Sequence, residues 1–185
     1  DLVTLQKDGV DVVVVHGGGN VISQWMQRQG IPPRFVNGLR VTDAASLEIV
    51  VAVLTGLINK ELVALLHRLG GRAIGLSGID GGLLEARIAN PELGYVGEIT
   101  RVNREPLQTI LDGGYIPMVA PLATHCQDGS EHAGGALNIN GDTVAGELAH
   151  ALGAARLIFL TDVPGIMDAG SRVIQRLDPR RGRIL

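Results

Sequence analysis

The feature that most constrains the fold is a run of four valines, residues 12–15, that leads through His16 into three glycines, residues 17–19. Four β-branched residues without polar alternation predict a strand covered on both faces, as in a parallel sheet between helices. Successive glycines let the backbone approach a ligand with bare N–H groups. The apolar spacing after Asn20 predicts a helix, whose N-terminus favours anions. The stretch therefore predicts an anion-binding strand, loop and helix. The alternative is a tight turn whose glycines serve only close packing.

Length and composition bound the class of protein. A chain of 185 residues suits one large α/β domain, or one domain and part of a second. With 45% hydrophobic but only 3% aromatic residues, the core must be aliphatic, which suits layered α/β packing. A net charge of -3 gives no reason to expect nucleic acid, and neither a membrane span nor a secretory signal is recognisable. The single cysteine, Cys126, excludes an internal disulfide and favours a cytoplasmic location.

The order of apolar segments predicts strands that alternate with helices. An Asn-Gly pair at residues 37–38 predicts a hairpin, and either Thr42 or Asp43 is expected to cap a long helix. Because the chain starts without methionine and stops after an arginine-rich segment, we expect a piece of something longer. The expected strands are residues 10–15, 72–76, 116–120 and 156–160. The expected helices are residues 20–29, 43–67 and 143–152. A hairpin excursion is expected over residues 83–102, and a polar surface hairpin or loop over residues 121–135.

Polar or glycine-rich spots follow the expected strands at residues 17–19, 77–78, 138–142 and 161–165. A parallel sheet would gather these spots at one edge, where open α/β sheets bind ligands. These loops offer backbone N–H donors, the amide of Asn138 and the carboxylate of Asp142. Arg40, on the predicted hairpin, adds one cation. Taken singly, these three side chains also suit a surface ion pair, a turn and a helix start.

Other chemistries find no support in the pattern. The chain has no GxxxxGK[ST] loop, no GxGxxG fingerprint and no nucleophile with an accompanying base. The spacing of His125, Cys126 and His132 matches no zinc pattern, so no metal ligand is predicted. The sequence predicts a site that holds anions.

Six motifs taken in order resemble the acetylglutamate kinases of the amino-acid kinase family, over nearly the whole chain. The resemblance implies an α/β fold, a three-layer αβα sandwich with an open, mainly parallel central sheet. It implies ATP-dependent phosphorylation of the side-chain carboxylate of N-acetyl-L-glutamate in arginine biosynthesis, by a homodimer or higher homo-oligomer in the cytoplasm. The motifs are His-Gly-Gly-Gly at 16–19, Asn-Gly-Leu-Arg-Val-Thr at 37–42, Gly-Leu-Ser-Gly at 75–78, Leu-Gly-Tyr-Val-Gly-Glu at 93–98, Asn-Ile-Asn-Gly-Asp at 138–142 and Thr-Asp-Val-Pro-Gly at 161–165.

The resemblance also implies roles for individual residues. Gly18 and Gly19 would hold the reacting carboxylate and phosphoryl oxygens, and Arg40 and Asn138 would bind the α-carboxylate of the substrate. Asp142 would organise the catalytic lysines, which makes Gly18 and Asp142 the catalytic candidates. Mg²⁺ would be held through ATP. Residues 1–135 would form the acetylglutamate-binding and dimerisation part, and residues 136–185 the start of an incomplete nucleotide-binding part. The implied nucleotide contacts are Asp162, Val163, Pro164, Gly165, Ile166 and Met167.

The chain departs from the family at its lysines. Relatives use one lysine in a Lys-x-Gly-Gly strand and another in the later nucleotide half, whereas this chain has only Lys7 and Lys60. Ile79 also stands where relatives often carry lysine. We therefore expect the chain as given to bind acetylglutamate weakly and to be inactive or nearly so as a kinase. The alternatives are a related kinase, such as one for acetylaminoadipate in lysine biosynthesis, and a non-catalytic amino-acid-binding regulatory domain.

Overall fold

The computed structural model describes residues 1–126, 134–161, 163–168, 170 and 172–174. The chain separates into two compact units, Asp1–Ala155 and Arg156–Leu185. All the helices and strands described below belong to the first unit. The α-helices are α1 (Leu2–Lys7), α2 (Gly19–Arg28), α3 (Ala44–Val51), α4 (Asn59–Arg68), α5 (Glu105–Asp112) and α6 (Gly141–Leu152). The strands are β1 (Val14–Val15), β2 (Phe35–Val36), β3 (Leu39–Arg40), β4 (Ala73–Ser77), β5 (Leu84–Ile88), β6 (Gly97–Val102), β7 (Ile116–Ala120), β8 (Leu122–His125) and β9 (Ala136–Asn138).

A parallel sheet of order β1-β7-β4 forms the middle layer of the first unit. Its side chains alternate between two apolar clusters, because successive residues of a strand point to opposite faces. Val13 and Val15 pack with residues of α5 and α6, whereas Val12 and Val14 pack with residues of α1 and α4. The valine run is therefore covered on both faces, as predicted. The three-layer αβα arrangement with a parallel central sheet is confirmed.

The first strand is shorter than predicted. Residues 10–15 were expected to be extended in the sheet, but only Val14 and Val15 pair with β7, opposite Met118 and Val119. Val10 is 48% exposed. In the observed register Val14 lies opposite Met118, so Val10 and Asp11 lie beyond Ile116, the first residue of β7.

A second sheet of order β6-β5-β8-β9 joins two hairpins. β5 and β6 pair antiparallel, which confirms the predicted excursion over residues 83–102. The prediction of a polar surface segment over residues 121–135 was wrong for β8, in which Leu122 and His125 are buried. β8 pairs with β5 on one side and β9 on the other, so its side chains lie inside the fold despite their polar neighbours in sequence. His132 lies outside the described residues.

The long helix runs without a break from Ala44 to Arg68, close to its predicted bounds. It consists of α3, a π-helical segment (Ala52–Ile58) and α4. Asp43 caps it, because its carboxylate accepts a hydrogen bond from the backbone N–H of Ser46 at 2.8 Å. By length and composition alone this helix could cross a membrane, with a mean hydropathy of 2.0, but a core helix passes the same test. Residues of α3 pack in an apolar cluster with residues of α2 and β8, but only 33% of the most apolar window of the long helix is buried within one chain.

The second unit does not contain the strand expected at residues 156–160. These residues have no regular structure, and Ile158 and Leu160 are 71% and 92% exposed. The apolar sequence predicted a buried strand, but a strand forms only against a neighbour, and none pairs with this segment in the described residues.

Candidate active site

A cavity of about 220 Å³ lies where β1 leads into α2. Its wall combines three kinds of group: glycine backbone, polar side chains and aliphatic or aromatic surface. Gly18, Arg40 and Asn138, which the sequence singled out from distant positions, all line it. The full lining is Gly17, Gly18, Gly19, Ile22, Phe35, Gly38, Leu39, Arg40, Leu54, Val96, Pro121, Asn138, Ile139, Asn140 and Gly141.

The glycine loop begins α2 and has a packing role as well as a polar one. Gly18 is the N-cap residue, and the first N–H groups of a helix have no partner within it. A Cβ at Gly18 would overlap the Cδ1 atom of Ile58 and lie 2.9 Å from the Cδ2 atom of Leu54. A Cβ at Gly17 or Gly19 would meet open space. The close-packing interpretation therefore applies to Gly18, whereas Gly17 and Gly19 leave room for a ligand.

Arg40 reaches the cavity from the hairpin formed by β2 and β3. Its guanidinium donates to the carbonyl oxygen of Gly19 at 2.9 Å and to the hydroxyl of Ser23 at 2.8 Å. It also contacts the sulfur of Met26 at 3.2 Å and lies 4.7 Å from the ring centroid of Phe35. Arg40 is only 8% exposed, and burial lowers the pKa of its guanidinium below its ordinary value.

No carboxylate in the described part of the chain forms an ion pair with Arg40. Its hydrogen-bond partners are neutral oxygens and a thioether, so the positive charge is not compensated by them. A buried charge without a counter-ion is unfavourable, and a bound anion removes that cost. Arg40 thus gives the cavity a preference for a carboxylate or a phosphate. Both N–H groups of Nη2 are already donated to Gly19 and Ser23, so Nε–H and Nη1–H are the donors left for such an anion.

Asn138, at the end of β9, is held in register with Arg40. Its side-chain amide donates to the hydroxyl of Thr42 at 3.2 Å, and that hydroxyl donates to the carbonyl oxygen of Arg40 at 3.1 Å. Thr42 is fully buried. The two side chains predicted to bind one carboxylate are therefore connected through a third residue, and both line the cavity.

A second helix N-terminus reaches the same cavity. Asn140 caps α6 as predicted, accepting a hydrogen bond from the N–H of Thr143 at 3.0 Å, and both Asn140 and Gly141 line the cavity. The positive ends of the α2 and α6 dipoles are therefore presented to one space, which favours negative charge there. Asp142 lies in the first turn of α6 and is exposed.

Other predicted residues lie elsewhere. Ser77 and Gly78 are buried and do not line the cavity; Asp80 accepts hydrogen bonds from the N–H and hydroxyl of Ser77 at 2.6 and 2.8 Å, closing a local turn. Of the six residues expected to contact the nucleotide, Asp162 lies outside the described residues. The other five belong to the second unit and are exposed: Val163, Pro164, Gly165, Ile166 and Met167.

Sequence reasoning missed three residues that shape the site, namely Ser23, Phe35 and Thr42. Ser23 lies four residues after Gly19 on α2, so the two share a helix face, and its hydroxyl donates to the Gly19 carbonyl oxygen at 2.9 Å. Helical spacing from the glycine loop could have identified it. Phe35 and Thr42 are both separated from Arg40 by only a few residues, but nothing in their sequence positions indicated contact with a cation or with Asn138.

Comparisons with known proteins agree on the kind of protein. The family model described as the amino acid kinase family matches residues 1–179. An acetylglutamate kinase of Synechococcus sp. (strain JA-2-3B'a(2-13)) is 50% identical over 168 residues, which are 90% of this chain and 52% of that protein. Across the similar acetylglutamate kinases, the chain spans between 52% and 64% of their length.

Two solved structures are similar in both fold and sequence. The crystal structure of smu.665 from Streptococcus mutans UA159 has a TM-score of 0.82 and 32% identity, covering 90% of this chain and 66% of that one. An N-acetylglutamate synthase from Neisseria gonorrhoeae, crystallised with coenzyme A and N-acetyl-glutamate, has a TM-score of 0.78 and 26% identity. The latter match covers 98% of this chain and 41% of that one.

Proposed function

The chain belongs to the amino acid kinase family, and we propose that it forms the acetylglutamate-binding part of an acetylglutamate kinase. The reaction is transfer of the γ-phosphoryl group of ATP to the side-chain carboxylate of N-acetyl-L-glutamate, giving the acyl phosphate, in arginine biosynthesis. Because the chain spans only part of the length of its relatives, the complete activity is proposed for the whole enzyme and not for these 185 residues.

One observation carries this proposal: Arg40 is a buried cation at a cavity, and its partners in the described residues are neutral. Such a group is stabilised by an anionic ligand, and N-acetylglutamate has two carboxylates. We assign the α-carboxylate to Arg40 and Asn138, which are connected through Thr42. The side-chain carboxylate is assigned to the N–H groups of Gly18 and Gly19 at the start of α2.

This arrangement suits phosphoryl transfer to a carboxylate. The carboxylate is already ionised at neutral pH, so no general base is needed, and the catalytic task is to hold two anions in line and neutralise the charge between them. Backbone N–H groups and helix N-termini perform that task without reorganising. Gly18 and Gly19 at α2, with Asn140 and Gly141 at α6, place such groups around one cavity.

The nucleotide is assigned to residues 162–167, and Mg²⁺ is proposed to enter with ATP. The described residues that line the cavity include no Asp or Glu, so this wall offers amide, guanidinium and N–H groups rather than ligands for Mg²⁺. Asp142, next to the lining residue Gly141, is proposed to orient catalytic lysines. The division into an acetylglutamate part at residues 1–135 and a nucleotide part from residue 136 stays a prediction.

Neither lysine of the chain is placed to neutralise transferring phosphate in this cavity. Lys60 donates to the side-chain oxygen of Asn59 and to the carbonyl oxygen of Gly75, and Lys7 ends α1. We therefore expect the 185-residue chain to bind N-acetylglutamate weakly and to release little ADP. A longer chain that includes a Lys-x-Gly-Gly strand is expected to be active.

The proposal is tested by trapping the acyl phosphate with hydroxylamine while ADP release is measured, with N-acetylglutamate and acetylaminoadipate as rival acceptors. The longer chain is expected to consume ATP with N-acetylglutamate and to form the hydroxamate. Preference for acetylaminoadipate would reassign it to lysine biosynthesis. Robust turnover by the 185-residue chain would contradict the role given to the absent lysines.

A binding domain without phosphotransfer is the alternative with an observation in its favour. The similar N-acetylglutamate synthase was crystallised with N-acetyl-glutamate, and this chain covers 41% of it. That alternative predicts binding of N-acetylglutamate but no hydroxamate from any longer chain. The same assay therefore separates it from a kinase.

We also propose a homodimer in the cytoplasm, to which the long helix contributes. Its apolar surface is not fully used within one chain, since Leu65 is 41% exposed. Leu65→Glu is expected to shift the mass measured by solution scattering from dimer to monomer. Glu61→Gln on the same helix is the control, because it leaves the apolar surface intact.

A further inference from the structure

A chain of hydrogen bonds lies behind the glycine loop and has no place in the anion site itself. It runs from Lys60 through Asn59 and His16 to Gly17, and none of its first three members lines the cavity. Asn59 and His16 are 1% and 7% exposed. Burying an amide at the end of a π-helical segment costs free energy unless each of its polar atoms has a hydrogen-bond partner, so packing alone does not explain Asn59.

The orientation of the Asn59 amide is fixed by groups that can act in only one way. The ammonium of Lys60 can only donate, so the atom 3.0 Å from it is the side-chain oxygen of Asn59. The carbonyl oxygen of Met118 can only accept, so the atom 2.8 Å from it is the amide nitrogen Nδ2. The two constraints agree, and Gly75 makes room for the amide, since a Cβ there would overlap the Asn59 oxygen.

The oriented amide in turn fixes the protonation of His16. Nδ2 of Asn59 lies 3.1 Å from Nε2 of His16, closer than the 3.4 Å that separates it from the Leu76 carbonyl oxygen, and an amide N–H can only donate. Nε2 must therefore accept, so the proton of the neutral ring is on Nδ1, which donates to the carbonyl oxygen of Gly17 at 3.1 Å. The Gly17 carbonyl is thereby engaged with a buried ring. A free carbonyl at this position could turn its negative end toward the bound anion.

The same helix segment supports the next residue of the loop by packing. Ile58, which precedes Asn59, lies against the position that a side chain at Gly18 would occupy. One turn of the long helix thus supports two successive loop residues: Asn59 supports Gly17 through His16, and Ile58 packs against Gly18.

We propose that Lys60 and Asn59 are positioning residues: they fix His16 as the Nδ1–H tautomer and so hold the glycine loop with its N–H groups available to the anion. The proposal rests on the proposed function for the identity of the anion. This chain of hydrogen bonds, called the relay below, acts through the Gly17 carbonyl. Lys60, Asn59 and His16 are therefore not expected to touch N-acetylglutamate.

The experiment combines a spectroscopic measurement with a binding measurement on the 185-residue chain. Histidine labelled with ¹⁵N and ¹³C reports the tautomer of His16, whose signals are identified by their absence in His16→Gln. N-acetylglutamate affinity is measured by calorimetry, and stability by thermal unfolding. The variants are Asn59→Asp, which replaces the donor by an acceptor, Lys60→Met and Lys60→Arg. Lys7→Met is the matched control for loss of one lysine.

The wild-type chain is expected to show the Nδ1–H tautomer. Lys60→Met is expected to mix the tautomers and to weaken N-acetylglutamate binding about tenfold, the size of one net hydrogen bond. Asn59→Asp is expected to draw a proton onto Nε2. Lys60→Arg, which keeps a donor, and Lys7→Met are expected to match the wild type. Equal unfolding temperatures for Lys60→Met and Lys7→Met would separate positioning from general destabilisation.

Two results would overturn the relay: an Nε2–H tautomer in the wild-type chain, or an unchanged tautomer in both Asn59→Asp and Lys60→Met. If Asn59→Asp does not fold, the His16 tautomer in Lys60→Met and Lys60→Arg tests the relay, because Lys60 is exposed. Failure of the wild-type chain to bind N-acetylglutamate would count against the proposed function, and the relay would then be judged by the tautomers.

Discussion

Arg40 donates a hydrogen bond from Nη2 to the carbonyl oxygen of Gly19 at 2.9 Å, and so joins the β2–β3 hairpin to the first turn of α2. A residue of the glycine loop thus accepts from the one guanidinium that lines the cavity among the described residues. The pairing places a cation beside a helix N-terminus, where both favour the same anion. It also makes the position of the loop depend on the hairpin.

Arg40→Met is expected to weaken N-acetylglutamate binding by roughly 100-fold, in line with the loss of a buried charge that binds an anion. Stability is expected to be unchanged or to rise by about 1 kcal/mol, because an uncompensated buried cation is removed. Calorimetry and chemical denaturation measure the two effects. Arg34→Met, an exposed arginine of the same hairpin, serves as the control. Loss of stability with full affinity would assign Arg40 to packing.

The glycine loop gives a test of packing against binding. Gly18→Ala is expected to destabilise the chain by about 1–3 kcal/mol, because the new methyl group meets Ile58 and Leu54. Gly19→Ala meets no atom of the protein and is expected to leave stability nearly unchanged. It should nevertheless lower N-acetylglutamate affinity about tenfold or more, since Gly19 lines the cavity. If Gly19→Ala binds like the wild type, the loop is only a close-packed turn.

Much of this site could be predicted from the sequence, since its polar groups follow strands or cap helices. The glycine loop, the cap at Asn140 and the positions of Arg40 and Asn138 are local features, which short-range patterns report. Most contacts of Asn59 are not local: its amide meets His16 and Met118, which are 43 and 59 residues away in sequence, whereas Lys60 is its sequence neighbour. A buried asparagine inside an apolar helix gives no sequence signal for the partner it will meet.

The same limit explains the errors in the fold. Residues 10–13 and 156–160 have strand-like composition, but a strand also requires a neighbour with free N–H and C=O groups. The composition of a segment shows that it can be extended, but it does not show whether a neighbouring strand is available. β8 shows the converse, because its burial comes from pairing with β5 and β9, which its own sequence does not show.

Asp43→Ala is expected to destabilise the chain by about 1 kcal/mol through loss of the N-cap of the long helix. Asp43→Asn should be nearly neutral, since asparagine caps equally well. The hydrogen bond from the Ser46 backbone lowers the pKa of Asp43, so the charged cap adds stability above its ordinary pKa of 3.8. That contribution is lost as the pH falls below this value. Denaturation of the two variants at neutral pH measures the cap itself, and equal stabilities would contradict it.

Protonation of His16 is expected to destabilise the first unit at mildly acidic pH. Burial is the largest cause that lowers the pKa of His16 below 6.5; the charge of Lys60 adds to it, and the hydrogen bond to Gly17 opposes it. Between its lowered pKa and 6.5 the unfolded chain binds a proton that the folded chain does not, so stability falls as pH decreases through that window. Above pH 6.5 neither the folded nor the unfolded chain binds this proton, so His16 no longer makes the stability depend on pH.

Chemical denaturation of the wild type and His16→Gln between pH 7.5 and about 5 measures this effect. Glutamine can accept from Asn59 but does not titrate, so the variant is expected to lose less stability than the wild type over the same range. Other titrating groups contribute equally to both chains and cancel in the difference. A difference that is independent of pH would show that His16 does not titrate in this window, or that its pKa is the same in the folded and unfolded chains.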